Sequence, residues 1–265
     1  MQVVILLTLM TNSEVVGWYG ATTALFQTLM FLPVLVSTAW LPRLVVAFGQ
    51  GHRNLVKTAR TPLEFILVIS VPVAVGTALL APELVHVVYG PAFVPAVPVM
   101  IVLACCIPPI YLNIVLVQVL IASKRQKLWT VVMAGAAVTN PLFNLVLIPA
   151  TESRYHNGAI GAAVSLMLTE LLMDIIGFVL VGRHVFDRSG VRRAVLAIVA
   201  SAGMWGVAYA ARPLGRPISL LAGGTALVAL VVILRIPSSD EIAAIQAGLA
   251  RLRRRRVVEA IWGDV

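Results

Sequence analysis

The stretch LWTVVMAGAAVTNPLFNLVLIP, residues 128–149, carries no charged side chain. Wound as an α-helix at about 1.5 Å per residue, it is long enough to cross the ~30 Å hydrocarbon layer of a bilayer. Hydrocarbon offers backbone N–H and C=O groups no partner, so such a run has to be helical. Working outward, similar runs occupy 96–122, 62–81 and 22–48 on one side, and 159–182, 194–211 and 218–236 on the other. A shorter apolar stretch, 1–16, precedes them and a polar tail, 237–265, follows. The reading is an all-α integral membrane protein, a polytopic helical bundle with about eight segments that cross or enter the bilayer. Composition agrees: 60% of residues are hydrophobic and 12% charged, where soluble domains carry roughly 25% charged residues.

The formal net charge is +9. In a soluble protein such an excess points to nucleic acid, but here the basic residues sit between apolar runs. Their placement reports topology, because Lys and Arg are retained on the cytoplasmic side. Arg43, Arg53, Lys57 and Arg60 follow the second segment, and Lys124, Arg125 and Lys127 the fourth. Arg183, Arg188, Arg192 and Arg193 follow the sixth, and Arg235, Arg251, Arg253, Arg254, Arg255 and Arg256 the eighth. Together these hold 17 basic residues, against 3 in the alternate linkers: Arg154, Arg212 and Arg216. The alternation supports the segment order, puts the C-terminus in the cytoplasm and places Glu14 near the outer face.

The tail opens on Ser238 and Glu241, at capping-box spacing, and continues with Ile242, Ile245, Leu249 and Leu252 at three- and four-residue steps. Arg251 and Arg253 to Arg256 follow. This describes a basic amphipathic helix lying on an anionic leaflet, or a topology anchor with no further role. Cys105 and Cys106 are adjacent in an apolar run and read as reduced core thiols. No metal-ligand spacing, glycine-rich phosphate loop or soluble catalytic domain is present in the sequence. No catalytic residue, metal or cofactor is therefore assigned, and the function class is not an enzyme. A membrane glycosyltransferase or polymerase would need acidic or basic clusters in large loops, whereas these linkers are short.

Pro33, Pro72, Pro108, Pro109 and Pro141 lie inside the segments. Each removes a helix hydrogen bond and favours a kink, a common feature of transporter helices. Glu170 and Asp174 stand four residues apart, so both carboxyls share a helix face about 6 Å apart along the axis. A charged acid at that depth costs about 2.5–3.5 kcal/mol on insertion scales. The pair either binds and releases a proton or a cation, or bonds a neighbouring helix. Asn140 and Asn144 repeat the spacing in the preceding segment; Asn113 and Gln118 lie in the fourth, Thr23 and Gln27 in the second. These side chains either bridge helices or line a polar cavity. Glu170, Asp174, Asn140, Asn144, Asn113 and Gln27 are the candidate transport and coupling residues.

The run Asn140-Pro-Leu-Phe-Asn144, continued through Ile148-Pro149 to Gly158-Ala-Ile-Gly161-Ala162-Ala163 and Thr169-Glu170, resembles lipid-linked oligosaccharide flippases of the Wzx-like polysaccharide-biosynthesis family. These belong to the multidrug/oligosaccharidyl-lipid/polysaccharide exporter superfamily. Three other stretches are similar in the same order. Val16-Gly17-Trp18-Tyr19 looks like the short outer turn before the family's eighth helix. Leu32-Pro33 to Pro42-Arg43 looks like that helix and its exit, and Tyr89-Gly90-Pro91 like the loop entering the tenth. The linker from Pro149 to Gly158 is longer than the family's usual spacing.

The resemblance covers the second half of the family pattern. It implies a C-terminal lobe at 1–182 (partial helix seven to helix twelve), two additional transmembrane helices at 183–236 and a cytoplasmic tail at 237–265. It further implies transport of a polyprenyl-pyrophosphate-linked glycan across a bacterial inner membrane, with the lipid bilayer and the glycolipid as partners. A first lobe or second chain would complete the route and supply cations for phosphate, since no Lys or Arg lies deep in these segments. Two other readings stay open: a cation-coupled drug or small-molecule exporter of the same superfamily, and a non-transporting membrane scaffold subunit.

Overall fold

The computed structural model describes residues 2–182 and 188–234. Ten α-helices are found among them: α1 (Gln2–Met10), α2 (Ser13–Thr28), α3 (Phe31–Gly49), α4 (His52–Tyr89), α5 (Val97–Cys105), α6 (Ile107–Ala122), α7 (Gln126–Tyr155), α8 (Gly158–Val181), α9 (Arg188–Ala210) and α10 (Arg216–Ile233). No strand occurs among the described residues. The amphipathic tail, including Arg251 and Arg253 to Arg256, lies outside them.

All eight expected segments are helical, but they are not eight equal crossings. Five helical stretches are long and apolar enough to span a membrane, and the bent pair Pro91–Cys105 and Ile107–Ala122 makes a sixth. The first helix is 9 residues long, and the apolar part of the last, Ile218–Ile233, is also short. The bend is 40° at Cys106. Pro108 and Pro109 cause it: neither has an N–H to give the carbonyls of Ala104 and Cys105, so the helix restarts there. Pro33 acts the same way near the α2–α3 break, leaving the Leu29 carbonyl without its helical donor.

Several expected boundaries move. The turn expected at Val16-Gly17-Trp18-Tyr19 is helix; the chain turns instead at Thr11-Asn12, so the first segment ends at Met10 rather than at 16. The Asn12 side chain accepts from Val15 N at 3.0 Å and caps α2 ahead of the aromatic pair. Pro149 does not end α7, which continues to Tyr155 and leaves only His156 and Asn157 before α8. His156 turns the chain in the left-handed conformation, and Glu152 Oε2 accepts from Gly158 N at 2.7 Å. The linker that looked long for the family is therefore mostly helix. The third segment also outgrows its expected 62–81, since α4 spans 38 residues, or about 57 Å.

The connectors gather at two ends. Arg125 Nη1 donates to the Leu180 carbonyl at 2.7 Å, and the start of α4 lines a cleft with Val181 and Gly182. The linkers after α3 and α6 and the C-terminal end of α8 thus share the basic end. At the other end Asn157 Nδ2 donates to the Pro95 carbonyl at 2.7 Å. The main core includes the fully buried Leu63, Ile66, Leu103, Ile107, Tyr111 and Leu116. A hairpin of α9 and α10 packs against α4, tied there by Arg193 Nη1 and Glu64 Oε2 at 3.3 Å.

Candidate functional site between α6, α7 and α8

Small residues let α7 and α8 approach closely. A Cβ on Gly161 would overlap the Leu147 carbonyl, and Gly161 N donates to Thr151 Oγ1 at 3.1 Å. Ala162 and Ala163 beside it are fully buried. Without a hydrophobic force between helices in lipid, such contacts and hydrogen bonds hold the pair. They fix the register in which the polar residues further along meet.

Asn113 of α6 reaches α8. Its Nδ2 donates to Glu170 Oε2 at 2.7 Å and to the Glu170 backbone carbonyl at 3.1 Å. Asn140 Nδ2 of α7 donates to Thr169 Oγ1 at 3.1 Å, and Thr169 in turn donates to the Ser165 carbonyl at 2.8 Å. Asn144 Nδ2 donates to Asn140 Oδ1 at 2.9 Å and to its carbonyl at 3.0 Å. The structure thus brings five of the six candidates into one neighbourhood on three packed helices, with Asp174 one turn beyond Glu170.

Gln27 is not among them. It lies exposed near the end of α2, and no side-chain hydrogen bond reaches it among the described residues. Thr23, one turn away, is occupied by donation to the Tyr19 carbonyl at 2.7 Å.

The neighbourhood holds more acceptors than donors. Asn113 Oδ1, Asn144 Oδ1 and Asp174 Oδ1 are buried without a hydrogen-bond partner. A buried polar atom left unpaired costs about 1–3 kcal/mol. All three are acceptors, so the site is short of protons or positive charge, not of acceptors. A proton or a cation is the species that would meet these oxygens.

Two participants were not singled out in the sequence. Thr169 appeared only as part of a pattern, yet it is the hydroxyl that joins α7 to α8. Tyr111 is fully buried, and its hydroxyl donates to the Leu29 carbonyl at 2.6 Å. Pro33 was the available signal, since it leaves that carbonyl free.

A bundle of membrane-spanning helices with its polar side chains gathered between three of them has the build of a membrane transporter. Residues 1–146 match the MatE family, and the chain belongs to it, within the exporter superfamily named above. No curated protein and no solved structure matches the chain. The matched residues include Gln27, Asn113, Asn140 and Asn144; Glu170 and Asp174 lie beyond them.

Proposed function

We propose that this chain is one lobe of a transporter that flips polyprenyl-pyrophosphate-linked oligosaccharide across a bacterial inner membrane for cell-surface polysaccharide synthesis. One observation carries the reading. The ladder Asn144, Asn140, Thr169, with Asn113 and Glu170 beside it, falls on the segments whose sequence resembles lipid-linked oligosaccharide flippases. It sets amide and hydroxyl groups at membrane depth, where glycan hydroxyls need partners because hydrocarbon has none to offer. A second lobe, on the same chain or another, would form the facing wall.

The acid pair supports a second reading. Glu170 and Asp174 with their surplus of acceptors suit coupling to a proton or cation whatever the cargo, as in a drug or small-molecule exporter. Deleting the gene in its host separates the two. The flippase reading expects lipid-linked oligosaccharide to accumulate unexported, with the wild-type gene and not an Asn140→Leu variant restoring export. Unchanged glycolipid together with raised sensitivity to cationic dyes would overturn it in favour of the exporter.

A further inference from the structure

The basic residues at one end of the bundle divide by what they touch. Arg43 lies over the Trp40 ring with its guanidinium carbon 4.9 Å from the centroid. Arg125 caps the Leu180 carbonyl at the C-terminus of α8, and Arg193 pairs with Glu64. Arg125 and Arg193 are thus engaged in holding helices, and Arg43 packs on its own helix. Arg53 and Lys57 are exposed and have neither hydrogen bond nor ion pair among the described residues. Topology alone needs only that such residues stay on one side; it does not require them to converge.

They do converge. Arg53, Lys57 and Arg60 are four and three residues apart, on one face of the first turns of α4. With His52 they line an open cleft of about 880 Å³, with Val181 and Gly182 at the end of α8 across from them. No acidic side chain lines it among the described residues. Like charges at this spacing repel one another. The helix start adds to the imbalance, with no acid in the first turn and no side-chain cap on its N-terminal amides. The exposed Arg53 and Lys57 and the uncapped helix start favour an anion. At about 57 Å, α4 outruns the ~30 Å hydrocarbon layer, so the cleft sits at headgroup level beside an apolar span.

We infer that this cleft binds a pyrophosphate, the headgroup linkage of a polyprenyl-linked substrate, on the loading side of the membrane. Arg supplies paired donors to phosphate oxygens, and Lys a mobile point charge. The apolar flank of α4 leaves room for the attached chain to stay in lipid. The inference rests on the glycolipid reading for its substrate, and it supplies in this lobe the cations that the deep segments lack.

The test uses the full chain in phosphatidylcholine nanodiscs. Binding of inorganic pyrophosphate is measured by calorimetry, and binding of undecaprenyl pyrophosphate by its incorporation into the same discs. The double variant Arg53→Gln/Lys57→Gln is expected to weaken pyrophosphate binding about tenfold or more. The control Lys124→Gln/Lys127→Gln, which removes equal charge near the start of α7, leaves it unchanged. Tighter binding of the lipid than of inorganic pyrophosphate supports the cleft and assigns a lipid source; equal binding supports it with a soluble source. Equal losses in both double variants, or equal competition by phosphatidylglycerol, would overturn the site. Pyrophosphate bound at the cleft of a protein that exports no glycolipid would retain the site while removing the flippase reading.

Discussion

The Tyr111 hydroxyl donates to the Leu29 carbonyl, the group that Pro33 leaves without a helical donor. One side chain from α6 thus stabilises the break between α2 and α3. Tyr111→Phe keeps the ring and removes the bond, with an expected loss of about 0.6–1.7 kcal/mol, the range for hydrogen bonds between membrane helices. In a Pro33→Ala background residue 33 regains its N–H, and the cost of Tyr111→Phe should largely vanish. A double-mutant cycle of unfolding in detergent measures the coupling; additive losses would show that the bond does not serve the break.

Gly161 sets the distance between α7 and α8. Gly161→Ala places a methyl group on the Leu147 carbonyl and displaces Thr151 Oγ1. Overpacking of this kind costs about 1–3 kcal/mol, and it also shifts Thr169 away from Asn140. Gly135→Ala in α7 meets nothing within 4 Å and should leave stability unchanged. Thermal unfolding of the two variants side by side distinguishes a packing requirement from a general intolerance of alanine.

The spans were legible because charge-free runs of membrane length have one structural solution. Their ends were not. Apolar membrane helices lack the polar stripe that marks where a soluble helix faces and stops. Boundaries read from the aromatic pair Trp18-Tyr19 and from Pro149 therefore missed what sets them: the cap on Asn12 and the bond from Gly158 N to Glu152. The same limit applies to the candidate site. That Glu170 and Asp174 share a face follows from their spacing. That Asn113 is Glu170's partner, 57 residues away, depends on the register of α6 against α8, which no local pattern encodes. That Gln27 stands apart from this cluster was not legible either, because an apolar surround says nothing about which side of α2 meets the bundle.

Glu170 and Asp174 are predicted to carry ion coupling separately from folding. Glu170→Gln keeps an acceptor for Asn113 Nδ2, so helix packing and membrane insertion should survive. Transport should lose its dependence on pH or on the driving cation. Asp174→Asn adds donors to a site rich in unpaired acceptors and should stabilise the bundle while also removing coupling. Transport rates in vesicles across a pH series and across sodium concentrations give the readout. Unaltered dependence in both variants would leave the pair with a structural role alone.

Glu64 docks the α9–α10 hairpin. Its residue is 5% exposed, and Arg193 reaches it from the second turn of α9 with its side chain 27% exposed. Gly190 permits the approach, since a Cβ there would stand 2.5 Å from Glu64 Oε1. Removing one partner of a fully buried ion pair costs about 3–5 kcal/mol; with Arg193 partly solvated, about 1–3 kcal/mol is expected for Glu64→Gln. The double variant Glu64→Gln/Arg193→Gln removes both charges of this pair and should recover part of that loss. Gly190→Ala should act like Glu64→Gln, by pushing the carboxylate away. Cross-linking of cysteines introduced on facing positions of α4 and α9 reports the docking: slower cross-linking in both single variants, restored in the double, is the pattern a charge-dependent latch predicts. Equal rates in all of them would assign the hairpin's attachment to apolar packing around Met204 and Gly76 instead.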